Sequence, residues 1–417
     1  MNSVFPSSTR LQRSAWCLFD FANSAFPTVM VTAVYVLYFK NVVMSGQTGG
    51  ESDRLWGLAN AIGAAVVFFL APLLGAAADI AGKKRLFQIL FTLLCVGATA
   101  TLSLTGQGTV TLAMTAFVIA LVGFEAACVF NNAFLPELVP NEQMDALSGD
   151  AWALGYLGGL GCLLICLPLA MRESFIRFVP LVVALWFLVF SIPVFLLVRD
   201  RNRPVRSAFS FGAGWNRIAT TVREIGNHRD LARFLLAFFF FNNAVSTIIV
   251  FAVAFSADSL LFSTGENIAL VIVMNVVAAP GASVFGRIAG RIGARRTIIA
   301  TLFMWLGVVA GAEMAAWPGL FTASGAKLWF WGVAVLASLC IGAIQSTSRT
   351  FVGQLAPEGR SGEFFGFMAF AGRGSAILGP LVFGMASDAF SSQRVAVLTI
   401  GLFFAVGLFL MRFVSRR

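Results

Sequence analysis

The chain has 417 residues, of which 59% are hydrophobic and only 12% charged, and its mean hydropathy is +0.86. A soluble protein of this composition would expose far too much apolar surface, so a globular soluble protein is excluded. The net charge of +10 does not indicate a nucleic-acid partner, because the cations lie in short loops between long apolar runs.

Apolar runs of about 20 residues follow one another, each long enough to cross a hydrocarbon core of roughly 30 Å. We therefore predict an all-α membrane protein with twelve transmembrane helices. The predicted spans are residues 14–39, 55–78, 85–106, 109–135, 147–171, 177–198, 231–254, 267–289, 297–316, 328–352, 362–384 and 394–413.

The basic residues are divided unequally between the two sides of the predicted membrane. Most of the 29 Lys and Arg residues lie near the termini and in the loops that follow even-numbered spans. One example is Lys83–Arg85, after span two. The positive-inside rule then places both termini in the cytoplasm.

A short basic loop punctuated by glycines occurs twice, at Gly75–Arg85 and at Gly286–Arg296. A repeat in corresponding positions of a membrane chain predicts two pseudo-symmetric six-helix bundles, which we place at residues 1–198 and 231–417. The linker between them, residues 199–230, carries apolar side chains at helical spacing. We expect an amphipathic helix there, lying on the inner leaflet.

Polar side chains occur within spans one, four, seven and ten, the first helices of successive three-helix units. They are Asn23, Asn132, Asn242, Asn243 and Gln345. Polar groups at this depth cost free energy unless they pair or face water, so we expect them to line a substrate cavity. Interhelical hydrogen bonding without a ligand is the alternative.

Three charged residues lie well inside the predicted spans: Asp20, Glu125 and Arg373. An unpaired charge at that depth costs at least about 2.5–3.5 kcal/mol, so each should face a partner or water. We predict that Glu125 and Asp20 carry protons and that Arg373 binds an anionic group of the substrate through its planar donor fork. A buried ion pair that only fixes packing is the alternative interpretation.

Asp79 ends span two and is followed by Gly82 for a tight turn and by the cations Lys83 and Lys84. A carboxylate here can bind the N-terminus of another helix, where the helix dipole favours negative charge. We predict that these four residues gate the cytoplasmic side; a solvated loop that only sets topology is the alternative.

The second loop has Gly290 where the first has Asp79, so it cannot make the same contact. We predict a second gate with reversed charges, in which Asp150 meets Arg291 or Arg287.

Several motifs resemble those of a known family. The first loop resembles motif A of the major facilitator superfamily. Further stretches are similar to signatures of the Atg22-like family, also called the UMF1 transporters: Trp16–Phe26, Asn132–Glu137, Gly155–Gly159, Gln345–Arg349, Glu363–Phe367 and Gly379–Pro380. The matches run from span one to span eleven.

The resemblance implies a twelve-helix transporter with a central pathway, and the vacuolar branch of the family is associated with amino-acid efflux. Two departures remove carboxylates that the family pattern leads us to expect, at Asn243-Ala244 and at Gly290. These departures weaken any family-based proton or substrate role in the second half. Short loops favour a bacterial cytoplasmic (inner) membrane over a vacuolar one.

We predict a secondary active transporter that exports a small polar solute, amino acids above all, by alternating access coupled to protons as antiport. Its partners would be the solute, protons and the lipid bilayer, with no nucleic acid, cofactor or metal, and a monomer would suffice.

Two other functions stay open: an exporter of hydrophobic or cationic drug-like compounds, and a non-transporting membrane scaffold or sensor. An enzyme is not expected, because the sequence holds no nucleophile–His pairing, phosphate loop or metal-binding cluster, and His228 is its one histidine.

Overall fold

The computed structural model describes residues 8–46, 49–172, 174–201, 211–223, 228–390 and 393–415. Within these ranges the chain is helical and contains no β-strand. The long helices are α1 (Arg10–Asn23), α2 (Gly49–Ala81), α3 (Lys84–Thr101), α4 (Val110–Ala133), α5 (Asn141–Ala170), α6 (Val179–Leu197), α7 (Phe211–Arg223), α8 (Arg229–Leu260), α9 (Thr264–Ile292), α10 (Ala294–Ala315), α11 (Ala323–Leu355), α12 (Ser361–Phe390) and α13 (Gln393–Met411).

Eleven helical segments of the described chain are long and apolar enough to cross a membrane, and Ala396–Met411 is a shorter apolar helix. The prediction of an all-α membrane protein is confirmed.

The first spanning segment, Arg10–Val43, changes its helical geometry along its length. It begins with a capping box in which the Thr9 side chain and that of Gln12 each bind the other's backbone N–H. Wider π-helical turns follow at Phe26–Ala33, where Pro27 removes a backbone donor from the first turn.

In both copies of the repeated loop, a glycine with positive φ follows the end of a helix. Gly82 (φ 60°) follows α2 and Gly293 (φ 93°) follows α9. Residues with a Cβ rarely adopt such positive φ values, so glycine at these two positions lets the chain turn sharply into the next helix.

The chain forms two compact units. Unit 1 consists of Met1–Leu147, Leu154–Thr220 and Ala356–Phe370, and unit 2 of Ser148–Ala153, Thr221–Leu355 and Ala371–Arg417. Each unit thus includes a short stretch of the other sequence half. The division into two bundles at 1–198 and 231–417 with a linker at 199–230 stays a prediction, and residues 202–210 and 224–227 of that linker lie outside the described chain.

In unit 1, α1 packs closely on α5 and α6. The rings of Phe21 and Trp186 stack with centroids 5.1 Å apart. A Cβ on Gly158 of α5 would lie only 2.1 Å from the carbonyl oxygen of Phe21. The Gly-Tyr-Leu-Gly-Gly stretch of α5 therefore lets two helix backbones come into direct contact.

In unit 2, aromatic side chains of α8 form a buried cluster. The buried rings of Phe234, Phe238 and Phe241 on α8 pack on one another, and Phe351 of α11 contacts Phe234 edge to face. A second crossing, of α8 with α12, is close because Gly379 lies against the carbonyl oxygen of Asn243, 2.5 Å from where its Cβ would be.

We expect Gly158→Ala to lower the melting temperature of the purified protein, because the added methyl group meets a backbone oxygen that cannot move aside. Overpacking of this kind costs typically about 1–3 kcal/mol. The matched control is Gly97→Ala in α3, where a Cβ would meet nothing within 4 Å. Thermal melts in detergent that show equal effects of the two substitutions would contradict this packing.

Candidate functional site

The carboxylate of Asp79 binds the N-terminus of α12 within unit 1. One oxygen accepts the N–H of Gly362 at 3.1 Å and the other accepts the N–H of Glu363 at 2.8 Å. The first amides of a helix have no partner inside the helix, and its dipole favours negative charge there. This is the contact with a helix N-terminus that we expected of Asp79; the gating role stays a prediction.

Small residues allow this contact. A Cβ on Gly75 would lie 2.0 Å from the carbonyl oxygen of Gly362, and one on Gly366 would lie 2.5 Å from that of Ala71. Since α2 and the start of α12 touch backbone to backbone, the short side chain of Asp79 reaches the amides of α12.

Lys84 is the cation that compensates this buried carboxylate. Its side chain is 2% exposed, and its ammonium lies 3.1 Å from Asp79, 2.5 Å from Glu137 and 2.7 Å from the Ser361 hydroxyl. That hydroxyl in turn donates to the carbonyl of Ala133 at 2.8 Å. A buried charge is tolerated only when it is paired and hydrogen-bonded, and Lys84 satisfies both conditions.

The other two cations of the loop behave differently. Lys83 is exposed. The Arg85 guanidinium donates to the carbonyl of Phe195 at 2.7 Å, and the Arg85 N–H donates to Asp200 at 3.2 Å. Burial raises the pKa of the Asp200 carboxyl above its usual value, and the hydrogen bond from Arg85 partly opposes that effect.

Glu363 is a buried carboxylate that the sequence analysis did not assign to the gate. Its side chain is fully buried between two guanidinium groups. Arg360, which immediately precedes α12, donates at 2.9 Å, and Arg217 of the linker helix α7 donates at 3.2 Å. The Glu-Phe-Phe-Gly-Phe motif was visible in the sequence, but the partner from the linker was not.

In unit 2, Ser148 and Arg349 make a comparable buried contact. The Ser148 hydroxyl donates to the carbonyl of Ser346 at 2.8 Å, and Arg349 donates to the hydroxyl and the carbonyl of Ser148 at 2.9 and 2.8 Å. The guanidinium also lies over the ring of Trp152. Sequence reasoning missed both residues as site residues, although Arg349 ends the Gln-Ser-Thr-Ser-Arg motif.

The two units share a pattern at these crossings. Each unit has a Ser-Gly pair whose serine hydroxyl donates to a backbone carbonyl. In unit 1, Ser361 of Ser361-Gly362 donates to Ala133. In unit 2, Ser148 of Ser148-Gly149 donates to Ser346. The glycine of each pair packs against a helix that carries one copy of the repeated loop.

The charge-reversed contact that we proposed for unit 2 involves Arg287. The Asp150 carboxylate lies 3.2 Å from its guanidinium and accepts the Ser283 hydroxyl at 2.6 Å. Arg291, the other residue named for this role, is exposed. Because the Asp150 and Arg287 side chains are both about half exposed, the pair contributes little by itself.

A polar chain holds Asp20 within unit 1. Gln88 donates to Asn131 at 2.9 Å, and Asn131 donates to Asp20 at 3.3 Å. Trp16 donates to the carbonyl of Asn131 at 2.7 Å. Sequence reasoning named Asn132, whereas the fully buried amide of the pair is Asn131.

The other predicted site residues of unit 1 lie at different depths. Asn23 is buried, whereas Glu125 and Asn132 on α4 are half-buried. A partly accessible carboxylate and amide on one helix are compatible with contact to water or solute, and their functional roles stay predictions.

In unit 2, the two predicted amides of α8 differ. Asn242 is half-buried and donates to the Ser375 hydroxyl on α12 at 2.6 Å. Ser375 lies two residues after Arg373, which is also half-buried. Asn243 is fully buried and donates to the carbonyl of Phe239 in its own helix. Gln345 on α11 is half-buried.

Unit 2 also contains an apolar cavity of about 60 Å³. It lies between helices of that unit, and its wall includes Phe251, Phe255, Phe330 and Phe383. None of the predicted substrate residues lines it. A cavity with so few polar groups cannot hold water well and suits an apolar group.

A family model described as vacuole effluxer Atg22 like matches residues 55–417. The chain is 28% identical over 414 residues to YxiO of Bacillus subtilis, an uncharacterized MFS-type transporter, across 97% of this chain and 94% of that protein. Autophagy-related protein 22 of Yarrowia lipolytica is 26% identical over 321 residues, across 70% of this chain and 54% of that protein. The chain thus spans about half the length of this fungal relative.

Among solved structures, the human organic anion transporter MFSD10 (TETRAN) superposes with a TM-score of 0.76 at 14% identity, covering 96% of this chain and 99% of that one. At this identity the likeness shows the fold alone, and it confirms the predicted twelve-helix major facilitator fold.

Lys84→Ala should destabilise the protein strongly, because it leaves the buried Asp79 carboxylate without its cation. Removing one partner of a buried ion pair costs roughly 3–5 kcal/mol. Lys83→Ala removes the neighbouring exposed cation and should leave the melting temperature nearly unchanged. A melt in detergent in which both variants behave alike would show that Lys84 does not compensate the buried carboxylate.

Proposed function

The chain belongs to the Atg22-like family of major facilitator transporters, and on that premise we propose that it exports a small polar solute, amino acids above all, by proton-coupled alternating access. The observation that carries this proposal is the buried Asp79 carboxylate, held by the first amides of α12 and by Lys84.

This contact has the properties of a latch. Hydrogen bonds to a charged group contribute about 1.5–3 kcal/mol each, and Asp79 accepts two from the backbone of α12. If α12 moves away from α2, Asp79 and Lys84 become accessible to water, which offsets part of the loss. Such a contact can therefore open and close with a modest difference in free energy.

The proposed solute follows from the chemistry of the half-buried residues in each unit. In unit 2, Arg373 offers a planar donor pair that suits a carboxylate, and Asn242 and Gln345 offer amides. In unit 1, Glu125 offers a carboxylate that suits an ammonium group, and Asn132 offers an amide. Asn23 adds a further amide, and Asn243 supports α8 from within the unit core.

Protons are the proposed coupling ion. Glu125 would bind and release the proton, and Asp20 would assist, since Asn131 holds its carboxylate in a fixed position. Protonation of an intramembrane carboxylate removes a charge whose burial is costly, and this links proton binding to conformational change.

Efflux is supported by the family description, vacuole effluxer Atg22 like. The similarity to a Bacillus subtilis protein over nearly the full length supports a place in a bacterial cytoplasmic membrane. We further propose that both termini are cytoplasmic and that the monomer is functional.

The export of hydrophobic compounds is a second candidate, and the apolar cavity of about 60 Å³ in unit 2 supports it through its chemistry, although its volume suits a small apolar group. Its aromatic wall suits an apolar group, whereas the role proposed for Arg373 requires an anionic group on the solute.

Arg373→Ala should reduce the efflux of zwitterionic amino acids from proteoliposomes by at least about tenfold, because each charged hydrogen bond contributes about 1.5–3 kcal/mol. The control is Arg229→Ala, which removes an exposed arginine of unit 2 that has no predicted role in transport or gating. Unchanged efflux of every amino acid tested, or efflux of a hydrophobic cation that survives Arg373→Ala, would support the second candidate instead.

Glu125→Gln should abolish stimulation by an imposed pH gradient while leaving counterflow, the exchange of labelled for unlabelled solute, largely intact. Exchange needs no net proton movement, so it separates coupling from folding. Stimulation by the gradient that is equal in Glu125→Gln and in the unsubstituted protein would exclude Glu125 as the coupling site.

A further inference from the structure

The linker helix α7 packs directly on α2 beside the Asp79 latch. A Cβ on Gly214 would lie 3.1 Å from a methyl group of Leu73 and 3.6 Å from the Cβ of Ala77. The neighbouring Trp215 is 65% exposed, and Asn216 is exposed as well. The helix therefore presents one face to α2 and turns another away.

The same helix also reaches the first turn of α12. Arg217 donates to the fully buried Glu363 carboxylate at 3.2 Å. Glu363 is also the residue whose backbone N–H donates to Asp79 at 2.8 Å. Glu363 thus binds Arg217 of the linker helix through its side chain and Asp79 through its backbone N–H.

Arg360 cannot replace Arg217 in this role. It binds the same carboxylate, but it lies three residues before Glu363 and moves with the start of α12. Arg217 belongs to a different helix, so its ion pair must break or move when α12 leaves α2.

We propose that α7 is a strap on the cytoplasmic latch, in which Arg217 is a positioning residue that keeps the Glu363 amide on Asp79. The inference rests on the proposed alternating access and goes beyond it: the linker biases the equilibrium between the inward-closed and inward-open states. Detaching the strap should favour the inward-open state whatever solute is carried.

The test is hydrogen exchange measured by mass spectrometry on the full chain in nanodiscs. Two variants detach the strap by different means: Arg217→Ala removes the ion pair, and Gly214→Leu forces the helix away from Leu73. Asn216→Ala, on the exposed face of α7, is the matched control, and Arg217→Lys tests whether a positive charge at this position restores the contact.

Both detaching variants should raise exchange by about three- to tenfold in peptides that cover residues 75–84 and 361–370, as expected for loss of a partly buried ion pair. They should also lower exchange at the turn Leu261–Ser263 between α8 and α9, because cytoplasmic termini and twelve spans put this turn on the other side of the membrane and opening inside closes the outside. Arg217→Lys, which keeps the positive charge, should show both effects at reduced size, and Asn216→Ala should show neither.

Faster exchange at the latch without protection at the distant turn would mean that α7 only stabilises its surroundings, and it would overturn the proposal. Unchanged exchange in both regions would overturn it as well. Asp79→Asn separates this failure from failure of the proposed function: if it produces the reciprocal pattern and the strap variants do not, only the strap is wrong. If Asp79→Asn itself gives no reciprocal pattern, alternating access through this latch is wrong.

Discussion

A carboxylate removed from water at the start of another helix is the constraint on which this end of unit 1 depends. Asp79 is 6% exposed, and two backbone amides and one ammonium replace its lost hydration. The surrounding sequence follows from this requirement. Glycines at 75, 362 and 366 let the backbones touch, and Gly82 turns the chain so that Lys84 can return to the carboxylate.

The corresponding region of unit 2 contains an acid–base pair that is more exposed than Asp79 and Lys84. Its Asp150–Arg287 pair is about half exposed, so water screens it. The buried cation there is Arg349, which donates to the hydroxyl and the carbonyl of Ser148. Both copies of the repeated loop therefore place a glycine of positive φ after a helix, whereas the second copy has Gly290 in place of the Asp79 carboxylate.

Composition and loop charge were sufficient to predict the membrane fold, because twenty apolar residues in succession have few other stable environments. The motif-A carboxylate could also be placed at a helix N-terminus from its position at the end of span two. The choice between Arg287 and Arg291 could not be made, since residues four apart on a helix share one face.

Other features depend on rotations that a single sequence does not define. Asn131 and Asn132 are adjacent, and a turn of about 100° decides which of them enters the core. The structure buries Asn131 against Gln88 and Asp20. The Arg217–Glu363 pair joins residues far apart in the chain, and no local pattern connects them.

The most direct test of the latch is a distance measurement by electron spin resonance. Spin labels would replace Lys83 and Glu358, both exposed residues of unit 1, in a variant in which the six native cysteines are substituted. In the labelled chain that keeps Asp79, we expect a single population at a short distance between the two labels. In the same chain with Asp79→Asn, we expect an added population at a longer distance. If Asp79→Asn is folded and gives the same distance distribution, the carboxylate does not hold this side closed, and the role assigned to it here is wrong.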